Sequence, residues 1–199
     1  MSRRNAARAA MIGPAVFVLV LVVLTLMQYD FMVETGWPWP SGLALGTLGW
    51  LQVLNFVFFG LTMIAFAVGL HRSVAVGGRM SWVGPILFIV AGVAMVLLGF
   101  KVDNPSFTPQ TWHGWIHGLS YFLFLYALMP AFFFLGWRMR KDSLWRGFDL
   151  YTLITGVLYV VVSNFFLGTQ WGIFLLLAVI VVWMEITATR LRSIAAGVG

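Results

Sequence analysis

The sequence predicts an all-α fold: a polytopic membrane bundle of six transmembrane helices, one domain over residues 1–199, with both termini cytoplasmic. Three observations predict it. Hydrophobic residues make up 61% of the chain and charged residues 9%, with a mean hydropathy of +0.96, against roughly 45–50% and about 25% in an average soluble domain. Six apolar runs stand out, each long enough to cross ~30 Å of hydrocarbon as a helix. Basic residues collect in every second connection between the runs, as in segments retained in the cytoplasm.

The first run, residues 10–28, follows Arg3, Arg4 and Arg8 and ends at Gln28-Tyr29-Asp30 with no small-x-small cleavage site. It therefore reads as a retained span and not a cleaved signal. The loop after it contains Trp37-Pro38-Trp39-Pro40, which cannot be helical throughout because each proline restricts the residue before it; it is expected to lie along the membrane surface. The second run, 45–70, ends at His71-Arg72 and carries Gln52 and Asn55, whose amides suit hydrogen bonds between helices. The third, 82–100, opens at Trp82. Thr111 is a plausible N-cap for the fourth, 112–137, because Pro109 discourages an earlier helix start. The fifth and sixth, 148–167 and 170–188, lack the short alternation of barrel strands, and unpaired strand backbone in lipid is costly.

The charges fix an orientation. Arg3, Arg4 and Arg8, then Arg72 and Arg79, then Arg138, Arg140, Lys141 and Arg146, then Arg190 and Arg192 fall on one side, whereas the other side holds only Lys101 with Asp30, Glu34 and Asp103. The net charge of +6 is thus topology and no nucleic-acid footprint. Tryptophans agree: Trp37, Trp39, Trp50, Trp112, Trp115 and Trp171 fall near outer ends and Trp82, Trp137 and Trp145 near inner ends, at the headgroup level indole favours. Cysteine is absent, which excludes disulfides, thiolate metal sites and covalently attached haem.

Groups capable of chemistry converge at one place, the turn between the third and fourth runs. His113 and His117 are four residues apart, so they share a helix face, a spacing by which two imidazoles can hold one divalent metal such as zinc. Asp103 from the preceding turn would complete a set of two histidines and a carboxylate with an open position for water. The other reading is a pair of interfacial histidines hydrogen-bonded to the outer loop. Lys101, Asn104 and Thr111 surround the same helix start, which could receive an anion such as a lipid phosphate. Haem held by the pair is disfavoured, because axial ligands approach from opposite sides of the ring; His71 falls at the other membrane face. Gly114 and Gly118 form a small-xxx-small stripe that suits close approach of a neighbouring helix.

Glu185 is the one acid clearly within an apolar run, away from its edge, a functional candidate by default, with Arg190 an available partner. No nucleotide-binding glycine pattern, zinc-protease motif or nucleophile elbow occurs. Ser106 and Ser120 lie near the histidines without a motif that would make either a nucleophile.

Gly99-Phe100-Lys101-Val102-Asp103-Asn104-Pro105 followed by His113-Gly114-Trp115-Ile116-His117 resembles the pattern of the domain of unknown function 998 family, in which a third span ends in an Asp-Pro-like turn and His-Gly-x-x-His opens the fourth. Here one residue separates Asp103 from Pro105. Asn55 with Phe58-Phe59-Gly60, and Glu185, are also similar to that family. The resemblance implies a bacterial inner-membrane protein of unassigned activity and directs attention to Asp103, His113 and His117. At the level of residue types alone it is similar to seven-span membrane hydrolases that gather Asp and His around zinc.

The expected function is a lipid-binding protein or a component of a membrane complex, with membrane lipids and other membrane proteins or further copies of itself as partners. The alternative is a metal-dependent hydrolase acting on a lipid or headgroup at the outer leaflet, with Asp103, His113 and His117 around a metal that activates water. A third expectation is a proton-coupled carrier using Glu185.

Overall fold

The computed structural model describes residues 2–36, 39–74, 81–103, 109–169 and 171–197, without the side chain of Arg3. Trp37, Pro38, Arg79, Asn104, Pro105 and Ser106 lie outside the described residues. Seven α-helices follow in order: α1 (Arg3–Met27), α2 (Tyr29–Thr35), α3 (Gly49–Ser73), α4 (Val83–Leu97), α5 (Trp112–Met139), α6 (Phe148–Phe165) and α7 (Gly172–Ala196). Two short 3-10 turns, Gly42–Leu45 and Ser143–Trp145, complete them, and no strand occurs among the described residues.

Five helices are long and apolar enough to cross a membrane, all except α2 and α4. The expected span over 82–100 contains a helix of only 15 residues, ~22 Å long against ~30 Å of hydrocarbon. After Leu97 the chain tightens into turns in which Gly99 N–H bonds Val96 O and Phe100 N–H bonds Leu97 O. Carbonyls freed at such a helix end need donors from elsewhere, and α5 supplies one, as described below. The second expected span begins late, at Gly49, because residues 42–45 wind into the 3-10 turn.

Consecutive long helices pack side by side, and α7 returns to α1, so α1, α3, α4, α5, α6 and α7 form a closed ring, with α3 also touching α7. The short α2, unexpected from hydropathy, branches from α1 at Gln28. That buried amide donates to Leu43 O at 3.2 Å and accepts from Leu48 N–H at 3.2 Å, fixing the segment between α2 and α3 to the end of α1. α3 and α4 meet at Gly60 and Gly92, where a side chain on either glycine would run into the backbone of the other helix.

The ring is plugged at mid-height by aromatics. Trp183 of α7 packs against Phe66 of α3, Phe88 of α4 and Phe132 of α5, with ring centroids 5.6, 5.3 and 5.0 Å away. Its indole N–H donates to the Thr152 hydroxyl of α6 at 3.0 Å, so one buried side chain ties five helices. Outward-facing positions of the long helices are apolar, among them Leu19, Leu61, Leu119, Leu150 and Val182, as hydrocarbon contact requires.

At one end of the ring Arg138 of α5 is buried. Its two Nη atoms donate to His71 O, Val74 O, Ser81 O and the His71 ring Nδ1 at 2.7–2.9 Å. The guanidinium thereby supplies four donors to the end of α3 and the approach to α4. His71 in turn stacks on Trp82 at 3.7 Å.

Candidate functional site

The site is built at the opposite end of α5. Thr111, extended in backbone, caps the helix by accepting from Gly114 N–H at 3.1 Å, as the sequence leads one to expect. The Thr111 hydroxyl donates its own hydrogen to Asp103 Oδ1 at 2.6 Å, while Asp103 Oδ2 accepts from the backbone N–H of Gln110 at 2.7 Å and of Thr111 at 3.0 Å. The hydrogen bond from the Thr111 hydroxyl, then those from the two backbone N–H groups, hold the Asp103 carboxyl down at about 2, below its ordinary 3.8. Asp103 thus closes the segment between α4 and α5 onto the first turn of α5.

Gly114 makes this possible. A side chain there would occupy the space of the Asp103 carboxylate, while a Cβ at Gly118 would lie 3.5 Å from Pro109, an ordinary contact. The glycine stripe therefore faces the incoming loop, not a neighbouring helix, which corrects the packing role expected for it. Its physical basis is the same: a missing Cβ admits backbone or a carboxylate close to the helix.

Both histidines use Nδ1. His113 Nδ1 lies 2.9 Å from Lys101 O and 3.1 Å from the Thr111 hydroxyl. His117 Nδ1 lies 2.7 Å from Phe100 O and 3.1 Å from Leu98 O. A carbonyl can only accept, so Nδ1 carries the hydrogen in each ring and the lone pair of the neutral imidazole is on Nε2. The two differ in setting. His113 is over a third exposed and 3.8 Å from Asp103 Oδ1, whereas His117 is 7% exposed and faces a cavity.

That cavity, of about 450 Å3, lies among α3, α4, α5 and α7 and is bordered by Val102, Asp103 and Pro109 from the described parts of the connection between α4 and α5. Phe56, Met95, Phe124 and Leu177 form its inner wall, and Trp39, Pro40 and Ser41 of the first loop border it. Gly118, Tyr121 and Phe122 of α5 face Leu167 and Gly168 of the turn after α6 across its side. Phe122 is also 54% exposed, so this side chain borders both the hollow and the surroundings of the bundle. Asp103 and His117 stand at the lip. Volume and lining match the concave, largely apolar sites of ~300–1,000 Å3 that take small molecules.

The other expected residues separate from this group. Lys101 contributes its carbonyl, while its side chain is exposed, and Asn104 lies outside the described residues. Glu185 is half-buried on α7, eight residues or ~12 Å beyond Leu177, past the aromatic plug. Arg190, its expected partner, instead holds Leu144 O through Nε, at 2.8 Å, and Nη2. No group of three His, Asp or Glu side chains suited to a metal ion occurs among the described residues. The cavity walls were missed in the sequence because Phe56, Met95, Phe124 and Leu177 look like any buried span residue.

The family model described as Protein of unknown function (DUF998) matches residues 11–191, a stretch that includes the whole of this site. The chain belongs to the DUF998 family. Comparison with curated proteins and with solved structures finds no match. Within this DUF998 chain, then, the cavity and its lip are the features from which a function has to be argued.

Proposed function

We propose that this DUF998 protein crosses the membrane six times with both termini in the cytoplasm, and that it binds a membrane lipid in the cavity at its outer end. α4 serves as the sixth span, because it is held in the ring between two full-length helices and the turn at 98–103 makes up its missing length. The orientation follows from the ends. Arg4 bonds Ala195 O, Arg138 bonds His71 O, and Arg190 bonds Leu144 O, which gathers the basic residues at one face, and that face belongs in the cytoplasm.

The observation that carries the lipid reading is the cavity itself, apolar inside, polar at one lip and bordered by Phe122, which is also exposed on the bundle surface where acyl chains would lie. Gly118→Leu tests it, since that position has room for a side chain and borders the hollow. The variant should fold and yet lose the lipid that co-purifies with the unaltered protein in mild detergent. Equal lipid content in both preparations would refute the reading. Because the chain has no cysteine, a single Gln110→Cys or Lys141→Cys reports topology with a membrane-impermeant maleimide; labelling of the first and not the second in intact cells is the expected pattern.

A second reading, hydrolysis of a lipid headgroup with a divalent metal such as zinc, draws support from one feature. Metal-binding histidines commonly give their other N–H to a backbone carbonyl, as both rings do here. Asp103 would have to release Thr111 and Gln110 to join them. Metal content of tag-free protein, compared with a His113→Ala, His117→Ala double variant, tests it: stoichiometric metal lost in the variant supports the reading, and no metal in either removes it.

A further inference from the structure

We infer that the cavity selects an amphiphile with an uncharged hydroxyl headgroup, which donates a hydrogen bond to Nε2 of His117. This rests on the cavity being a lipid site and adds which lipid chemistry it takes. The orientation of His117 is set by main chain: the carbonyls of Leu98 and Phe100, both in the turn that ends α4, take its Nδ1 hydrogen. Nε2 has no partner among the described residues, and the ring lines the hollow. An occupant that displaces water from the hollow and brings no donor would leave this acceptor unpaired at a cost in free energy, so a headgroup that offers a hydrogen is favoured over one that offers only lone pairs.

Charge narrows the choice. No Lys or Arg occurs among the described residues that line the cavity, so a phosphate or carboxylate headgroup would lose its water with no cation in return. The lining acid, Asp103, is ionised while it accepts three hydrogen bonds, so an ammonium is the competing headgroup, at the higher cost of taking a full charge out of water. A hydroxyl is the cheapest donor to desolvate, and one hydrogen bond to Nε2 offsets that cost. Tyr121, four residues on and on the same face of α5, also lines the cavity; its phenol can donate to a second headgroup oxygen, such as that of an ester.

Three probes with the same twelve-carbon chain separate the cases: monolauroylglycerol, dodecyl phosphate and dodecylamine, each titrated against the full chain in a non-ionic detergent with retention read by native mass spectrometry. Monolauroylglycerol should be retained most tightly, with His117→Phe weakening it about tenfold and Gly118→Leu abolishing it. Retention of the phosphate or the amine as tight as that of the glyceride, with Gly118→Leu still abolishing it, would overturn the hydroxyl inference and leave the cavity reading standing. Retention indifferent to Gly118→Leu, or of no probe, would overturn both. The ranking on the unaltered chain decides the headgroup question even if His117→Phe does not fold.

Discussion

The two ends of α5 each bury a polar side chain against the end of a neighbouring helix, and they do so to opposite effect. At the C-terminal end, inner in the proposed orientation, Arg138 donates all four Nη hydrogens to His71, Val74 and Ser81, so four of its five donors go to neighbouring protein, and the fifth, Nε–H, is buried without a partner among the described residues. At the outer end, 21 residues or ~31 Å away, His117 spends one ring nitrogen on the carbonyls that end α4 and leaves the other facing a cavity. The same device, a side-chain donor satisfying orphan helix carbonyls, gives a staple in one case and a half-used group in the other. Valency explains the difference: guanidinium has donors only, whereas neutral imidazole has one donor and one acceptor.

The comparison breaks most readily at the staple. Arg138→Ala leaves the carbonyls of His71, Val74 and Ser81 without that donor, at about 1–3 kcal/mol for each that finds no other. A loss of about 3 kcal/mol or more is expected in unfolding titrations in detergent, and a change below about 1 kcal/mol would show that the inner end is held by something else. Thr111→Ala removes the cap of α5 and the hydroxyl donor to Asp103. It should cost about 1–2 kcal/mol and speed hydrogen exchange at Gly114, whose N–H bonds the hydroxyl; unchanged exchange there would count against the cap's role.

Asp103 supplies a pH signature confined to the outer end. Its folded carboxyl titrates at about 2, below the ordinary 3.8, so the stability it contributes is fully present above ~4 and is lost as the pH falls toward 2. Asp103→Asn should lower the melting temperature at pH 6 and flatten its decline between pH 4 and 2; parallel declines in the two proteins would contradict the closure of the loop by Asp103. The smallest effect is expected at Lys101, which enters the site through its carbonyl. Lys101→Ala should leave stability within ~0.5 kcal/mol and lipid retention unchanged, and a marked loss of either would place its side chain in the site.

How much of this was legible depends on the range of the interaction. The Thr111 cap and the shared face of His113 and His117 are local, set by spacings of a few residues, and the sequence carried them; that Asp103, ten residues before His113, reaches it at 3.8 Å depends on the path of the chain between them and was not legible. The family resemblance was carried by the same residues and holds over residues 11–191. The shortness of α4 was not legible, because its end is set by where His117 finds carbonyls, 17 and 19 residues away in sequence. Arg138 was counted as one of the topological charges, since nothing local distinguishes a buried arginine from Arg140, which is exposed. Gly114 was read for helix packing because a missing Cβ states that something approaches closely and not what. Trp183 and the cavity walls depend on five helices converging, which hydropathy does not encode.

A photoreactive lipid decides whether the outer end is a binding site. Protein reconstituted with a glyceride carrying a diazirine in its acyl chain, then irradiated and digested, should yield adducts on Phe56, Met95, Phe124 and Leu177, buried residues that surrounding lipid does not touch, and Gly118→Leu should remove them. Adducts confined to outward-facing residues such as Leu119, Leu150 and Val182 would show that lipid stays outside the bundle and that the cavity holds none.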